Sequence, residues 1–187
     1  MIGKLDPHQA KGTGALKEAI RIGLDEAFTA LEESFHGLTD EQAWAFPIPG
    51  RHNITTLIMH SLENLDTYAC RFQTGSLTVA HEERFDIWRI ADGEIPAASD
   101  DLPTCAEMLQ RLEAIREAAT AALDKAGQED LTGPRQAASW WTDAGKNSAD
   151  AYMRTIGHTM AHARQIWLLR GLLGWQEGDT WPEQHWA

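Results

Sequence analysis

The chain has 187 residues, 43% of them hydrophobic, and sets 16 basic against 28 acidic side chains for a formal charge of −12. That length suits one domain with a real core, spanning residues 1–187, and the acidic balance repels phosphate backbones and anionic lipid, which weighs against nucleic-acid and membrane-surface roles. No apolar run approaches the roughly 18 residues of a membrane span and the opening MIGKLDPHQAKGTG lacks the apolar middle of a secretion signal, so a cytoplasmic protein is expected.

Cys70 and Cys105 stand apart with no C-x-x-C spacing, which excludes a zinc ribbon or a thioredoxin-like redox motif and leaves two reduced thiols. Four segments carry helical periodicity and none shows the two-residue alternation of a half-buried strand, so the fold class is all-α. The first helix is expected from about Ala15 to His36, with Leu16, Ile20, Gly23, Ala27, Leu31 and Phe35 on one stripe, and a stop near Gly37. Thr39 and Gln42 then make a capping box, and Pro47 and Pro49 end a single short turn of helix in a rigid loop.

Asn53 caps the second long helix, expected to run to about Phe72 before Gly75. The stretch from there to Leu102 is irregular and reads as a long connection with room for a short helix. Thr104 and Glu107 form another capping box, after which Met108, Leu112, Ile115, Ala119 and Ala122 repeat at steps of four and three up to Gly127. A further long connection carries Trp140 and Trp141. The last helix is expected from Asn147 or Ser148 to about Gly174, and the aromatic tail WQEGDTWPEQHWA is expected to fold back on the rest. Four long helices with one tight and two long connections describe a four-helix bundle with at least one crossover.

On the last helix Thr155, His158, His162 and Gln165 fall on one line beside Ile156, Met160, Ala163 and Ile166. Thr56, His60, Glu63 and Thr67 do the same on the second helix beside Ile54, Ile58, Leu62, Leu65 and Ala69. Burying an unpartnered polar group costs roughly 1–3 kcal/mol, so two such lines should face each other or a ligand. Histidines four apart lie about 6 Å along the axis and on one side of it, close enough to grip a single ion. His60 is the only further histidine set in the middle of another helix, and His52 lies too far along it, about 12 Å. Three imidazoles leave a coordination position open for water or substrate, as catalytic zinc requires. The pair alone is more often a pair of ordinary hydrogen-bonded core or surface histidines than half of a metal site. Thr159 stands where H-E-x-x-H needs Glu, which removes a zincin mechanism, and Glu33 with His36 is the one Glu-x-x-His unit, which argues against a di-iron centre.

The segments LTDEQAWAFPIPGRHNITTLIMHS and HTMAHARQIWLLRG, taken in this order, give a chain that resembles the DinB/YfiT-like family from about residue 13 to 174. The resemblance implies an up-down-down-up bundle, a metal held by His60, His158 and His162, a pocket at that metal, and a homodimer. It also implies a small-molecule substrate, with thiol-dependent S-transferases among the members of the superfamily.

The function expected is therefore that of a divalent-metal enzyme, either a thiol-dependent transferase or a metal-assisted hydrolase, with zinc or nickel ahead of iron and a low-molecular-weight thiol as partner. The alternative is a non-catalytic metal-binding bundle with a closed coordination sphere, Glu63 supplying the fourth ligand. Around the triad, Glu63 reads as a proton acceptor or a solvated glutamate, Gln165 as an orienter of His162 or a bridge between helices, and Arg154 as an anion holder or an exposed ion pair.

Overall fold

Side-chain caps decide where the helices begin. In the computed structural model, which describes residues 7–48, 51–78, 102–133 and 147–174, with side chains from residue 14 onward, the Asn53 carboxamide accepts from the Thr56 amide at 2.8 Å and opens helix α3, Ile54–Leu65. Thr104 and Glu107 exchange hydrogen bonds at the start of α5, Cys105–Lys125. Asn147 and Asp150 do the same for α7, Ser148–Leu173. The Thr39–Gln42 box opens α2, Asp40–Trp44, as its spacing requires. Each such cap satisfies amides that have no partner inside the helix, and its loss costs about 1 kcal/mol.

Two boundaries depart from expectation. Helix α1 covers Pro7–Phe35, starting well before Ala15; proline is pre-organised for the first helical position, and Gly12 and Gly14 lower helix propensity without ending a helix packed along one face. The second long helix is not regular to Phe72. After Leu65 it continues as a π-helical stretch, Asp66–Arg71, before a last α-turn, α4, Phe72–Thr74. Gly75, at φ +87°, then ends the helix in the left-handed region that glycine enters without strain. One further short helix, α6, Gln128–Thr132, lies in the second connection.

The described residues contain helices and no strand. Helix α1 packs on α7 and α5, and α3 packs on the same two. Side chains fix the relative directions. Lys17 and Arg21, early in α1, reach Asp124 at the end of α5, while Glu32 pairs with Arg116 one step back along it, so α1 and α5 run oppositely. Gly23 lies against Ile156, and Arg170 bonds the carbonyls of Ser34 and His36, so α1 and α7 run together. Asn64 meets Thr155 and His60 meets His158, so α3 opposes α7. A Cβ on Gly23 would stand 3.0 Å from Ile156 Cδ1, which shows how closely α1 and α7 approach.

The core between them is built from Ile20, Phe28 and Leu31 of α1, Ile58 and Leu62 of α3, Met108, Leu112 and Ile115 of α5, and Tyr152 and Ile166 of α7, all buried. Each large side chain removed from water in this way contributes about 1.5–3 kcal/mol. In α5 it is Leu123, four residues after Ala119, that is buried, and Ala122 is only half-buried. No described helix is long and apolar enough to cross a membrane. The connection over 79–101, the Trp140–Trp141 pair and the tail from 175 lie outside the described residues.

Candidate metal centre

The seam between α3 and α7 is where the two polar lines meet. The Asn53 cap starts α3 so that His60 falls in its second turn on the side toward α7, between the buried Met59 and Ser61. On α7 the four-residue step places His158 and His162 on one side, next to buried Thr155, Thr159 and Ala163. All three imidazoles are half-buried.

Their Nε2 atoms converge. His60 Nε2 lies 3.1 Å from His158 Nε2, and His162 Nε2 lies 3.3 Å from the same atom. The ligand atoms of the three lie within 4.8 Å of one another, and they form the one group of three potential metal-binding side chains found among the described residues. The rings are steeply inclined, with interplanar angles of 62°, 81° and 74°, so they surround a centre and do not stack.

Two readings of the contacts compete. Neutral imidazoles can share one N–H···N hydrogen bond, but a single proton cannot serve both close pairs at His158 Nε2. Nitrogens held about 2.0–2.1 Å from one ion in a tetrahedral array lie about 3.3–3.4 Å apart, close to both observed separations. The donor set fits a divalent transition metal, with three nitrogens and no fourth ligand grouped with them among the described residues.

Protonation favours the same use. Burial first, and then the charges of His162 and His52, lower the pKa of His60. Burial again leads at His158, followed by His162, His60 and Arg154, and brings it down to about 4. Both rings are therefore neutral near pH 7, with lone pairs available to a metal. Outside the triad, His162 Nδ1 meets Gln165 Oε1 at 2.6 Å. His60 Nδ1 and His158 Nδ1 are buried with no hydrogen-bond partner among the described residues.

Not every residue of the expected polar lines joins the site. Glu63 is exposed and stands outside the three-ligand group. One residue further on, Asn64 faces α7 and accepts from the Thr155 hydroxyl at 2.8 Å. Steps of three and four from His60 are both near neighbours on a helix, and it is the position of α7 that selects Asn64 over Glu63. Thr56 turns back to Asn53, bonding its carboxamide at 2.8 Å. Beyond Asn64 the guanidinium of Arg154, one turn before His158, lies over the Tyr68 ring at 5.3 Å, a contact with no sequence signature.

The two thiols are unsuited to nucleophilic work. Burial pushes both Cys70 and Cys105 up to about 12, with Asp66 and Asp40 respectively adding to the effect. Neither carries appreciable thiolate at neutral pH.

The family model described as Mycothiol-S-transferase matches residues 19–174. No curated protein sequence matches the chain. Among solved structures, the chain is similar to the conserved protein from Enterococcus faecalis, with a TM-score of 0.60 at 16% identity over 83% of this chain and 95% of that one. At that identity the likeness concerns the fold alone.

Proposed function

The chain belongs to the mycothiol-S-transferase family, a DinB/YfiT-like family, and on that premise we propose that it is a thiol-dependent transferase whose divalent metal is held by His60, His158 and His162. The observation that carries the proposal is the convergence of three Nε2 atoms from two helices, at 3.1 and 3.3 Å. The pairwise helix directions support an up-down-down-up four-helix bundle with long crossovers, in which α3 and α7 supply the metal ligands and α5 backs the core. The active species is taken as a cytoplasmic homodimer of this single domain.

A divalent metal held by His60, His158 and His162 would supply Lewis acidity, which would favour formation of a nucleophile near neutral pH. The chain's own residues do the rest. Burial lowers the pKa of His60 and His158, so these two rings are neutral near pH 7 with their lone pairs free. The family name points to mycothiol, a small-molecule thiol, as the source of the reacting sulfur, and burial pushes both protein thiols up to about 12, in keeping with this reading. Glu63 is exposed and outside the three-ligand group, so in this reading the proton that the thiol gives up passes to solvent. Arg154, propped on Tyr68, lends positive charge to one side of the site for an anionic group on the substrate.

Protein purified without a histidine tag and reconstituted with zinc or nickel, then mixed with a low-molecular-weight thiol and a chromogenic electrophile, should consume the two in equal amounts. The rate should fall to background after chelation and in His158→Ala. Turnover of ester or amide substrates that is indifferent to thiol would overturn the transferase reading in favour of a hydrolase.

A further inference from the structure

We infer that Gln165 is the positioning residue that keeps the histidine cluster ready for an ion, by fixing the tautomer of His162; the inference rests on the metal reading proposed above. The 2.6 Å contact joins His162 Nδ1 to the carboxamide oxygen of Gln165. An amide oxygen only accepts, so the ring proton sits on Nδ1 and the Nε2 lone pair points at the shared centre.

The alternative tautomer explains why this matters. With its proton on Nε2, His162 would point an N–H at His158 Nε2, 3.3 Å away, and the two rings would satisfy each other. A cluster closed by its own hydrogen bond must break that bond before an ion enters. Neither of the other two rings is held from outside among the described residues, since His60 Nδ1 and His158 Nδ1 lack partners there. Gln165 is thus the single described group that selects between the self-bonded and the ion-ready arrangements. The three-residue spacing on α7 lets it do so from an exposed position, where it contributes little to packing.

The full chain, wild type and with Gln165→Leu or Gln165→Glu, should be titrated with zinc against a chromophoric chelator, and the ring nitrogens of the metal-free proteins examined by nitrogen-15 NMR. Leucine should weaken zinc binding by about 10–100-fold, the usual range for a lost outer hydrogen bond to a metal ligand, and should shift His162 toward the Nε2–H tautomer. Glutamate, which can only accept, should retain the Nδ1–H tautomer and bind zinc at least as well as wild type. Unchanged affinity and tautomer in Gln165→Leu, or equal losses in both variants, would overturn the inference while leaving the metal reading intact. A wild-type chain that binds no zinc would overturn the metal reading, and the tautomer measurement would still decide what Gln165 does.

Discussion

His60 and His158 bring their Nε2 atoms to 3.1 Å across 98 residues of sequence. Two half-buried lone pairs at that distance repel unless a proton or an ion lies between them, and His162 Nε2, 3.3 Å from the same atom of His158, makes the ion the more economical answer. Replacing His158 with alanine removes the nitrogen common to both pairs. Zinc affinity should fall by more than 100-fold, beyond the range of outer-contact losses. In the wild type, ion at 100 times its dissociation constant should raise stability by about 2.7 kcal/mol, a gain that chelator abolishes and the variant never shows. Elemental analysis with paired thermal melts reads both, and an undiminished metal content in the variant would contradict the assignment.

Acid should destabilise the metal-free chain. The pKa of His158 is down to about 4 in the folded protein and that of His60 is also lowered, burial leading in both, whereas in the unfolded chain each titrates near 6.5. Between those values the unfolded state binds more protons, so stability is full above about pH 6.5 and is lost as pH falls toward 4. Urea melts at pH 7 and pH 5 should show the loss, and His158→Asn should reduce it. Stability that rises on acidification through this window would contradict the assigned environment.

Much of this was legible in local sequence, because caps and short spacings act over a single turn. The Thr39–Gln42 and Thr104–Glu107 boxes form where their residues stand, and the step from His158 to His162 already placed two rings on one side of α7. The π-helical stretch was not legible. It brings the Phe72 amide to the Thr67 carbonyl in a stretch that packs against α5 and α7, long-range contacts that no local spacing announces. Nor could spacing distinguish Glu63 from Asn64, since steps of three and four are both near neighbours on a helix; only the position of α7 decides. The helix Gln128–Thr132 was hidden by Gly127 and Gly133, which read as loop.

Native Cys70 and Cys105 should resist alkylation. With both thiols pushed up to about 12, the thiolate fraction at pH 8 is about a thousandth of that of a thiol at the ordinary value near 9. Iodoacetamide at pH 8 should modify the folded protein slowly and the guanidinium-unfolded protein at the rate of a free cysteine. Rapid labelling of folded Cys105, the less buried of the two, would show that a protein thiol is available and would weaken the case for an external one.

Arg170 separates stability from metal binding. It is 4% exposed, and its Nη1 donates to the carbonyls of Ser34 and His36 at 3.1 and 3.0 Å, where α1 ends before Gly37; the guanidinium also lies 4.6 Å from the Trp167 ring centroid. Those carbonyls have no helical partners of their own, so Arg170 does for α1 what a C-terminal cap does, from another helix. Arg170→Met keeps most of the side-chain volume and removes the donors, which should cost about 1.5–3 kcal/mol in urea denaturation, the range for hydrogen bonds to a charged group. Two turns of α7, about 12 Å, separate residue 170 from His162, so zinc affinity should be unchanged within twofold. A parallel loss of affinity would mean that the register of α7 against α1, and not the α3–α7 seam alone, sets the geometry of the three imidazoles.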